Sequence, residues 1–548
     1  MLISASVLLT LAARRLRMPQ AGALILGGAL LAVVPGMPSL ELDPDLVLVL
    51  FLPPLLLLSA YLTDWRAFRA DLRIILQLAI GAVLFTTFAV GWVTHFLLPD
   101  LPWAACFALG AIVSPPDAVA AKAVLKGMPL PSRTVTLLEG ESLLNDATGL
   151  VLYRFAVVAA LTGTFSGTGA ASAFLYLVIG GVLVGAACGF ATSFATGYIF
   201  QGELGVTASF LAAWGSYIVG DALGVSGVLA TVVCGIIMGW RQHELLDAEQ
   251  RFQSQAVWRV LSFILESLIF ILIGLSLRSV LDRMSLSSIA SEQILLQLGA
   301  IVMIVVVSRF IWIVFASYGV RAMFPKLRRR DPYPAFRIPL VMSWAGMRGV
   351  VSLAAALALP EKFPGRDFIL LATFTVILVT VIVQGATLAP LVRYLGFQSS
   401  PAPNAGQFSE GVARRHVVSA ELAAVEALSL HLDGNHRHPR LVEQLQFRLA
   451  AITRSIDAGG ALDSVRTDHF DTLLASVEAG RSELIRMFRA GEIDNEVLRA
   501  LEQELDADEI RARHLLVPIA QRNEQTVKRI VKRASIPDGP TFGAGDTA

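Results

Sequence analysis

Charge is scarce in this chain. Asp, Glu, Lys and Arg together supply 16% of its 548 residues, where a soluble protein would carry about a quarter. That shortage argues against an ordinary water-soluble globule. The few charges nearly cancel, 44 basic against 43 acidic. No basic stripe is interleaved with aromatic residues, so no nucleic-acid partner is expected. Cysteine is rarer still. Cys106, Cys188 and Cys234 each lie in an apolar segment without paired spacing, which supports neither a disulfide framework nor a zinc site. The opening MLISASVLLTLAA lacks the basic region of a secretory signal and reads as a short first span that the protein keeps.

What is abundant is apolar length. Hydrophobic residues make up 55% of the chain and mean hydropathy is +0.65. Before residue 397, apolar runs of about 17–25 residues recur, enough to cross about 30 Å of hydrocarbon. About thirteen spans are expected, over 1–14, 19–35, 45–63, 73–97, 102–123, 137–161, 172–199, 204–221, 225–240, 257–281, 293–321, 336–359 and 367–396. The predicted fold is an all-α polytopic membrane protein.

Basic residues alternate between loops. One set of loops holds Arg14, Arg15, Arg17, Arg66, Arg69, Arg73, Lys126, Arg133, Arg241, Arg251, Arg259, Arg321, Lys326, Arg328, Arg329 and Arg330. The intervening loops hold only Arg278, Arg283, Lys362 and Arg366. Basic loops stay in the cytoplasm, which puts the N-terminus outside and everything after residue 397 inside. Residues 1–396 are then the transmembrane domain and 397–548 a cytoplasmic helical tail, a regulator or scaffold. SSPAPNAGQ (399–407) reads as its linker, DNEVLRALEQELDADEIRARHLL has helical spacing, and PDGPTFGAGDTA (537–548) has a disordered composition.

A few charges lie inside the spans. The sixth span, LLEGESLLNDATGLVLYRFAVVAAL, carries Glu141, Asn145 and Asp146. A carboxylate in hydrocarbon costs a few kcal/mol or more, so a span that keeps one is using it. On a helix, Ser142, Asn145 and Asp146 share one face, and Glu141 lies about 140° from Asp146. One face can bind a small cation while Glu141 serves another partner. The alternative is a polar cluster that packs helices, usually built from Ser, Thr or Gly.

The fifth span contains AIVSPPDAVAAKAVL. Pro115 and Pro116 remove two backbone donors and break the helix just before Asp117. An acid beside unwound backbone is how transporters assemble a cation site, although a simple proline kink would leave the same string. The twelfth span contains SWAGMRGVVSLAAAL, with Arg348 between Gly346 and Gly349. A deep arginine needs a counter-charge, and Glu141 is the first choice; a shallow one would snorkel to the surface. The fifth and twelfth spans run in opposite directions. Two broken, crossing helices so oriented suggest an inverted repeat, spans four to six against eleven to thirteen (core segments within 73–161 and 293–396), with the site near the midplane between them. Glu266 and Arg309 read as structural charges that pair with each other or with the core. Arg154 finds no partner in the sequence, and Asp221 and Glu203 fall at span ends and read as solvated.

The strings GESLLNDATGLVLYRFAV, PPDAVA and GMRGVVSLAAALALP together resemble the cation:proton antiporter family one, in its bacterial sodium/proton exchanger form. The match runs through the membrane region in order, and EIDNEVLRALEQELD is similar to tails of bacterial members. The resemblance implies a homodimer of thirteen-span subunits in the lipid of the bacterial inner (plasma) membrane, each with a core that moves against a fixed dimerisation domain. It implies that Asp146 binds cation or proton, that Asp117 and Ser142 help form the site, and that Glu141 and Arg348 form a buried structural pair. Many members carry Thr where this chain has Pro116, which offers a carbonyl but no hydroxyl to the ligand set.

The expected function is exchange of Na⁺, K⁺ or Li⁺ for H⁺, with no cofactor and no enzymatic reaction. A desolvated carboxylate favours neutralisation, by a proton or by a hard cation but not both. Asp146 and Asp117 are the expected acids at the ion, with Asn145, Ser142 and Pro116 beside them. Because Asn145 stands where a second acid could be, the pair offers one titrating group and the exchange reads as electroneutral. A cation channel would instead ring its ion path about a symmetry axis. An intramembrane aspartyl hydrolase would need Asp117 and Asp146 on intact facing helices, which the prolines oppose.

Overall fold

Backbone in hydrocarbon must satisfy its own hydrogen bonds, so apolar runs of this length form helices. Among the described residues of the computed structural model every regular element is helical. Those residues are 2–16, 18–33, 44–117, 121, 124–125, 128, 130–163, 167–199, 202–283, 292–397, 410–429, 437–457, 464–490 and 492–516. The expected linker at 399–407 and the final 537–548 lie outside them.

The first unit, Met1–Phe397, contains α1 (Leu2–Leu16), α2 (Gln20–Val33), α3 (Pro44–Tyr61), α4 (Trp65–Leu97), α5 (Trp103–Val113), α6 (Ser132–Thr162), α7 (Gly167–Tyr198), α8 (Glu203–Ala222), α9 (Gly227–Leu245), α10 (Ala248–Arg283), α11 (Glu292–Met323), α12 (Arg337–Trp344), α13 (Val350–Leu357) and α14 (Arg366–Tyr394). Six described helices are long and apolar enough by themselves to cross a bilayer: α4, α6, α7, α10, α11 and α14. This is fewer than the thirteen runs expected, for a physical reason. Breaks cut two of the runs, leaving α5 at eleven residues in one and α12 and α13 at eight each in the other, and α1, α2 and α3 are short apolar helices.

Two groups of helices pack mainly within themselves. One joins α4, α5 and α6 with α11 to α14; the other joins α2, α3 and α7 to α10. In the second group α2 and α10 touch backbone to backbone, because a Cβ on Gly28 or Gly274 would collide with the main chain opposite. Small residues that admit such approach replace the hydrophobic drive that lipid cannot supply. In the first group, π-helical turns interrupt α4 at Gln77–Ala82, α11 at Phe315–Gly319 and α14 at Thr380–Gln384. The indole of Trp312 on α11 donates to the Gln77 carbonyl at 2.9 Å where the first of these begins.

A buried ion pair holds this group together. Arg309 on α11 donates to both Glu141 carboxylate oxygens, at 2.6 and 3.0 Å, and to the Met342 carbonyl on α12 at 3.1 Å. The two side chains are 3% and 1% exposed. This corrects the expected Glu141–Arg348 pairing. Arg348 is equally buried, but its guanidinium donates to the Val113 carbonyl at 2.8 Å and to the Gly346 carbonyl. An arginine at a helix break can spend its donors on freed carbonyls, which leaves the carboxylate to the arginine that approaches it as a two-pronged fork.

At the end of the bundle where α4 and α6 begin, charges tie the first turns of these helices to the end of α11 and the segment after it. Arg133 bonds Asp71 at 2.6 Å and Asp331 at 3.0 Å, while Arg321 reaches Asp331 at 2.6 Å and Arg73 reaches it at 3.4 Å. Partial burial pushes the Asp331 carboxyl up, but the hydrogen bonds and charges of Arg133 and Arg321 outweigh it and hold the carboxyl below its usual range. A carboxylate depressed in this way contributes stability above its ordinary range and loses it only as pH falls through the depressed value. The cluster therefore stays locked at neutral pH.

The second unit, Gln398–Ala548, contains α15 (Glu410–Ser429), α16 (Pro439–Asp457), α17 (Ser464–Arg489) and α18 (Asn495–Leu516). α15 packs on α16 and α17 on α18, the latter with Arg481 bonded to Asp506 and Glu509 at 2.6 and 2.7 Å.

Arg309→Met strands Glu141 as a buried, unpaired charge, with an expected cost of about 3–5 kcal/mol. Thermal unfolding in detergent should show the loss, and adding Glu141→Leu should recover part of it. Simple addition of the two losses would mean that the residues are not energetic partners.

Candidate ion-binding site

The site is made by two helix breaks that satisfy one another. α5 ends at Val113, and Pro115 and Pro116 provide no N–H to continue it. Between α12 and α13 the residues Ala345 to Gly349 are not helical. The N–H of Asp117 donates to the Met347 carbonyl at 2.7 Å, and Arg348 Nε returns a bond to the Val113 carbonyl. The Arg348 N–H donates to Thr380 Oγ1 at 3.1 Å, at the start of the π turn in α14. Unwound backbone at this depth must face protein, water or an ion, and here each break caps the other.

The two glycines of the second break serve close approach rather than an unusual backbone angle. A Cβ on Gly349 would strike the Asp117 carboxylate, and one on Gly346 would strike the Arg309 side chain. Gly349 has φ of −141°, within reach of any residue. Only the space is forbidden.

The α6 residues then meet the first break. Asn145 is fully buried and donates from Nδ2 to the Pro116 carbonyl at 2.7 Å. A proline carbonyl can only accept, which fixes the amide orientation and leaves Oδ1 on the other side. That oxygen is buried and has no hydrogen-bond partner among the described residues, which is the condition of a ligand oxygen. The next residue, Asp146, is 8% exposed. Asp146, Ser142 and Asp117 line one cavity together with Glu139, Glu266 and Ser352. Its far wall is α3 and α10, through Phe51, Leu52, Leu55 and Ile269, so the cavity lies between the two helix groups.

The structure thus gathers Asp117, Ser142 and Asp146 around a cavity, with Asn145 and Pro116 bonded to each other beside it. Glu141, on another face of α6, is turned to Arg309. Glu266, read from sequence as structural, lines the cavity. Sequence reading also missed Glu139, whose only signal was its place one turn before Ser142, and the roles of Met347 and Thr380, whose contacts come from distant segments. Carboxylate, hydroxyl and amide oxygens form a hard donor set that suits an alkali cation. Among the described residues no cluster of three or more His, Cys, Asp or Glu forms a metal site.

Comparison with known proteins places this geometry. The family described as "Sodium/hydrogen exchanger, transmembrane" matches residues 2–394. An uncharacterized Na⁺/H⁺ exchanger of Mycobacterium bovis is 30% identical over 93% of this chain and 95% of its own length. The sodium, potassium, lithium and rubidium/H⁺ antiporter of Bacillus subtilis is 33% identical over 67% of this chain and 56% of its own. The solved sodium proton antiporter of Methanocaldococcus jannaschii shares the fold, with a TM-score of 0.57, 19% identity, and coverage of 73% of this chain and 98% of that one. The chain belongs to the sodium/hydrogen exchanger family and is a secondary-active cation/proton antiporter, not an enzyme.

Proposed function

We propose that Asp146 is the group at which proton and cation compete, with Asp117, Ser142 and the Asn145 amide oxygen completing the cation's coordination. The observation that carries this reading is the shared cavity: Asp117, Asp146 and Ser142 open onto one space beside two unwound backbones, with Glu139 and Glu266 further along its wall. Burial disfavours a bare carboxylate, so Asp146 crosses neutralised, by H⁺ one way and by Na⁺, K⁺ or Li⁺ the other. The group of α4 to α6 and α11 to α14 carries the site past the other group, which gives alternating access.

The finer architecture follows the same reading. Thirteen crossings put the N-terminus outside and the second unit in the cytoplasm of a bacterial cell, in a homodimer embedded in the plasma membrane. Supporting this, the Asp71–Arg133–Asp331 cluster joins three segments that the basic-residue pattern independently assigns to one side. The inverted repeat of spans four to six and eleven to thirteen is supported by the two breaks meeting each other. The second unit regulates or scaffolds.

Asp146→Asn keeps shape and removes the titrating group. Exchange in vesicles carrying an internal pH dye should vanish while membrane protein level stays near normal; retention of substantial exchange would sink the assignment. Asp117→Asn should leave at most a small residue of activity.

Truncation near Ala402 removes none of the proposed ligands and should leave turnover intact, with at most a shifted pH profile. Loss of all turnover in a well-folded truncated protein would place part of the transport machinery in the tail.

One titrating carboxylate implies one cation for one proton. With the membrane potential clamped, the null point of flux should then not move with voltage. A two-proton cycle would move it, since each uncompensated charge contributes about 2.3 kcal/mol per 100 mV. Movement would make Asp117 a second proton carrier.

A further inference from the structure

Arg154 and Asp221 are absent from the ion site, yet they face each other. Arg154 Nη2 lies 3.5 Å from Asp221 Oδ1, and each side chain is 60% exposed. Arg154 belongs to α6, in the group that carries Asp146. Asp221 belongs to the last turn of α8, which packs on α3, α7 and α9 in the other group. The pair is a charged bridge between the two groups.

Neither charge is where its own helix favours it. A carboxylate in the last turn of a helix faces the negative end of the helix dipole. An arginine in the apolar run LVLYRFAVV, about 12 Å from Asp146 along the helix axis, lies toward the outer edge of the hydrocarbon, where a partner lowers its cost. Each residue answers the other's cost.

Position then gives the pair a sense. The cavity at Asp146 extends toward Glu139 on α6 and Ser59 on α3, that is, toward the end of the bundle bearing the Asp331 cluster. Glu139 is about 10 Å from Asp146 along the α6 axis in that direction, and Arg154 is about 12 Å along it in the opposite one. The cavity therefore reaches toward one side, and the two groups are bridged on the other.

We infer that the Arg154–Asp221 pair is an outer latch, which holds the two groups together on the outside while the site faces the cytoplasm and parts in every exchange cycle. The inference rests on the alternating-access reading. The exposure of the pair fits the role, because an exposed ion pair shifts an equilibrium by only about 2–5-fold. It can bias the cycle without arresting it.

The test uses the full-length protein, oriented in vesicles, with Na⁺ half-saturation measured separately from each side. Arg154→Gln and Asp221→Asn should both keep exchange, lower the outside half-saturating Na⁺ by about 2–5-fold and raise the inside value correspondingly. The exchanged pair, Arg154→Asp with Asp221→Arg, should return both values toward those of the unsubstituted protein. Unchanged sidedness in both single variants overturns the latch. In a second measurement, Arg154→Cys and Asp221→Cys are combined in a background with Cys106, Cys188 and Cys234 replaced by Ala. A short, reducible bifunctional thiol reagent should stop exchange and reductant should restore it; continued exchange in the cross-linked protein also overturns the latch. Failure of exchange in the unsubstituted protein would instead overturn the exchange reading, so the two are separable.

Discussion

Two hydrogen bonds, one from a backbone N–H and one from a guanidinium, carry the architecture of the site. The chain breaks one helix with prolines and another between glycines, and in hydrocarbon each break would strand polar groups at a cost of several kcal/mol apiece. The Asp117 N–H on the Met347 carbonyl and the Arg348 guanidinium on the Val113 carbonyl remove that cost only if the breaks lie side by side. Their crossing is thus enforced by desolvation. Asp117 emerges from this crossing beside Gly349, and the Asn145 amide is drawn to Pro116. The remainder of the site is positioned by these bonds.

The Glu141–Arg309 pair plays a separate part. It binds α6 to α11, and through Met342 to α12, on the side of α6 turned from the cavity. Buried ion pairs add little net stability but punish any arrangement that separates them. With the Asp331 cluster at one end and the mutual break in the middle, the group carrying the site is braced at two levels. The second group meets it across a smaller set of apolar contacts and the cavity. Such a division, stiff within each group and sparing between them, is what a moving core needs.

Much of this was legible in the residues. The prolines before Asp117 and the glycines around Arg348 announced both breaks, and the spacing of Ser142 and Asp146 put them on the one face of α6 that lines the cavity, because these signals are local. The partner of Glu141 was not legible. Arg309 and Arg348 are both arginines in apolar runs, and nothing in spacing says which will meet a carboxylate 168 residues from Arg309. Only the packing shows that Arg348 is consumed by carbonyls that the breaks set free. Arg154 found no partner in the sequence for the same reason: Asp221 sits at the end of a helix in the other group, where it resembled any solvated terminal acid. The thirteen apolar runs exceed the six described helices of unaided membrane length because, besides the two interrupted runs that the sequence did announce, α1, α2 and α3 are short apolar helices.

The bond from Arg348 to the Val113 carbonyl joins residues 235 positions apart. Synthesis at about 5–20 residues per second separates their appearance by roughly 12–47 s. Throughout that interval the first break is in the membrane with its carbonyls and the Asp117 N–H lacking the partners that will eventually take them. Until α12 and α13 are made, those groups need another partner, such as water drawn into the bilayer. A chain stalled between the two breaks presents the cell with a membrane segment that cannot complete its own hydrogen bonds, which is a chemical signature by which quality control can tell it from the finished protein.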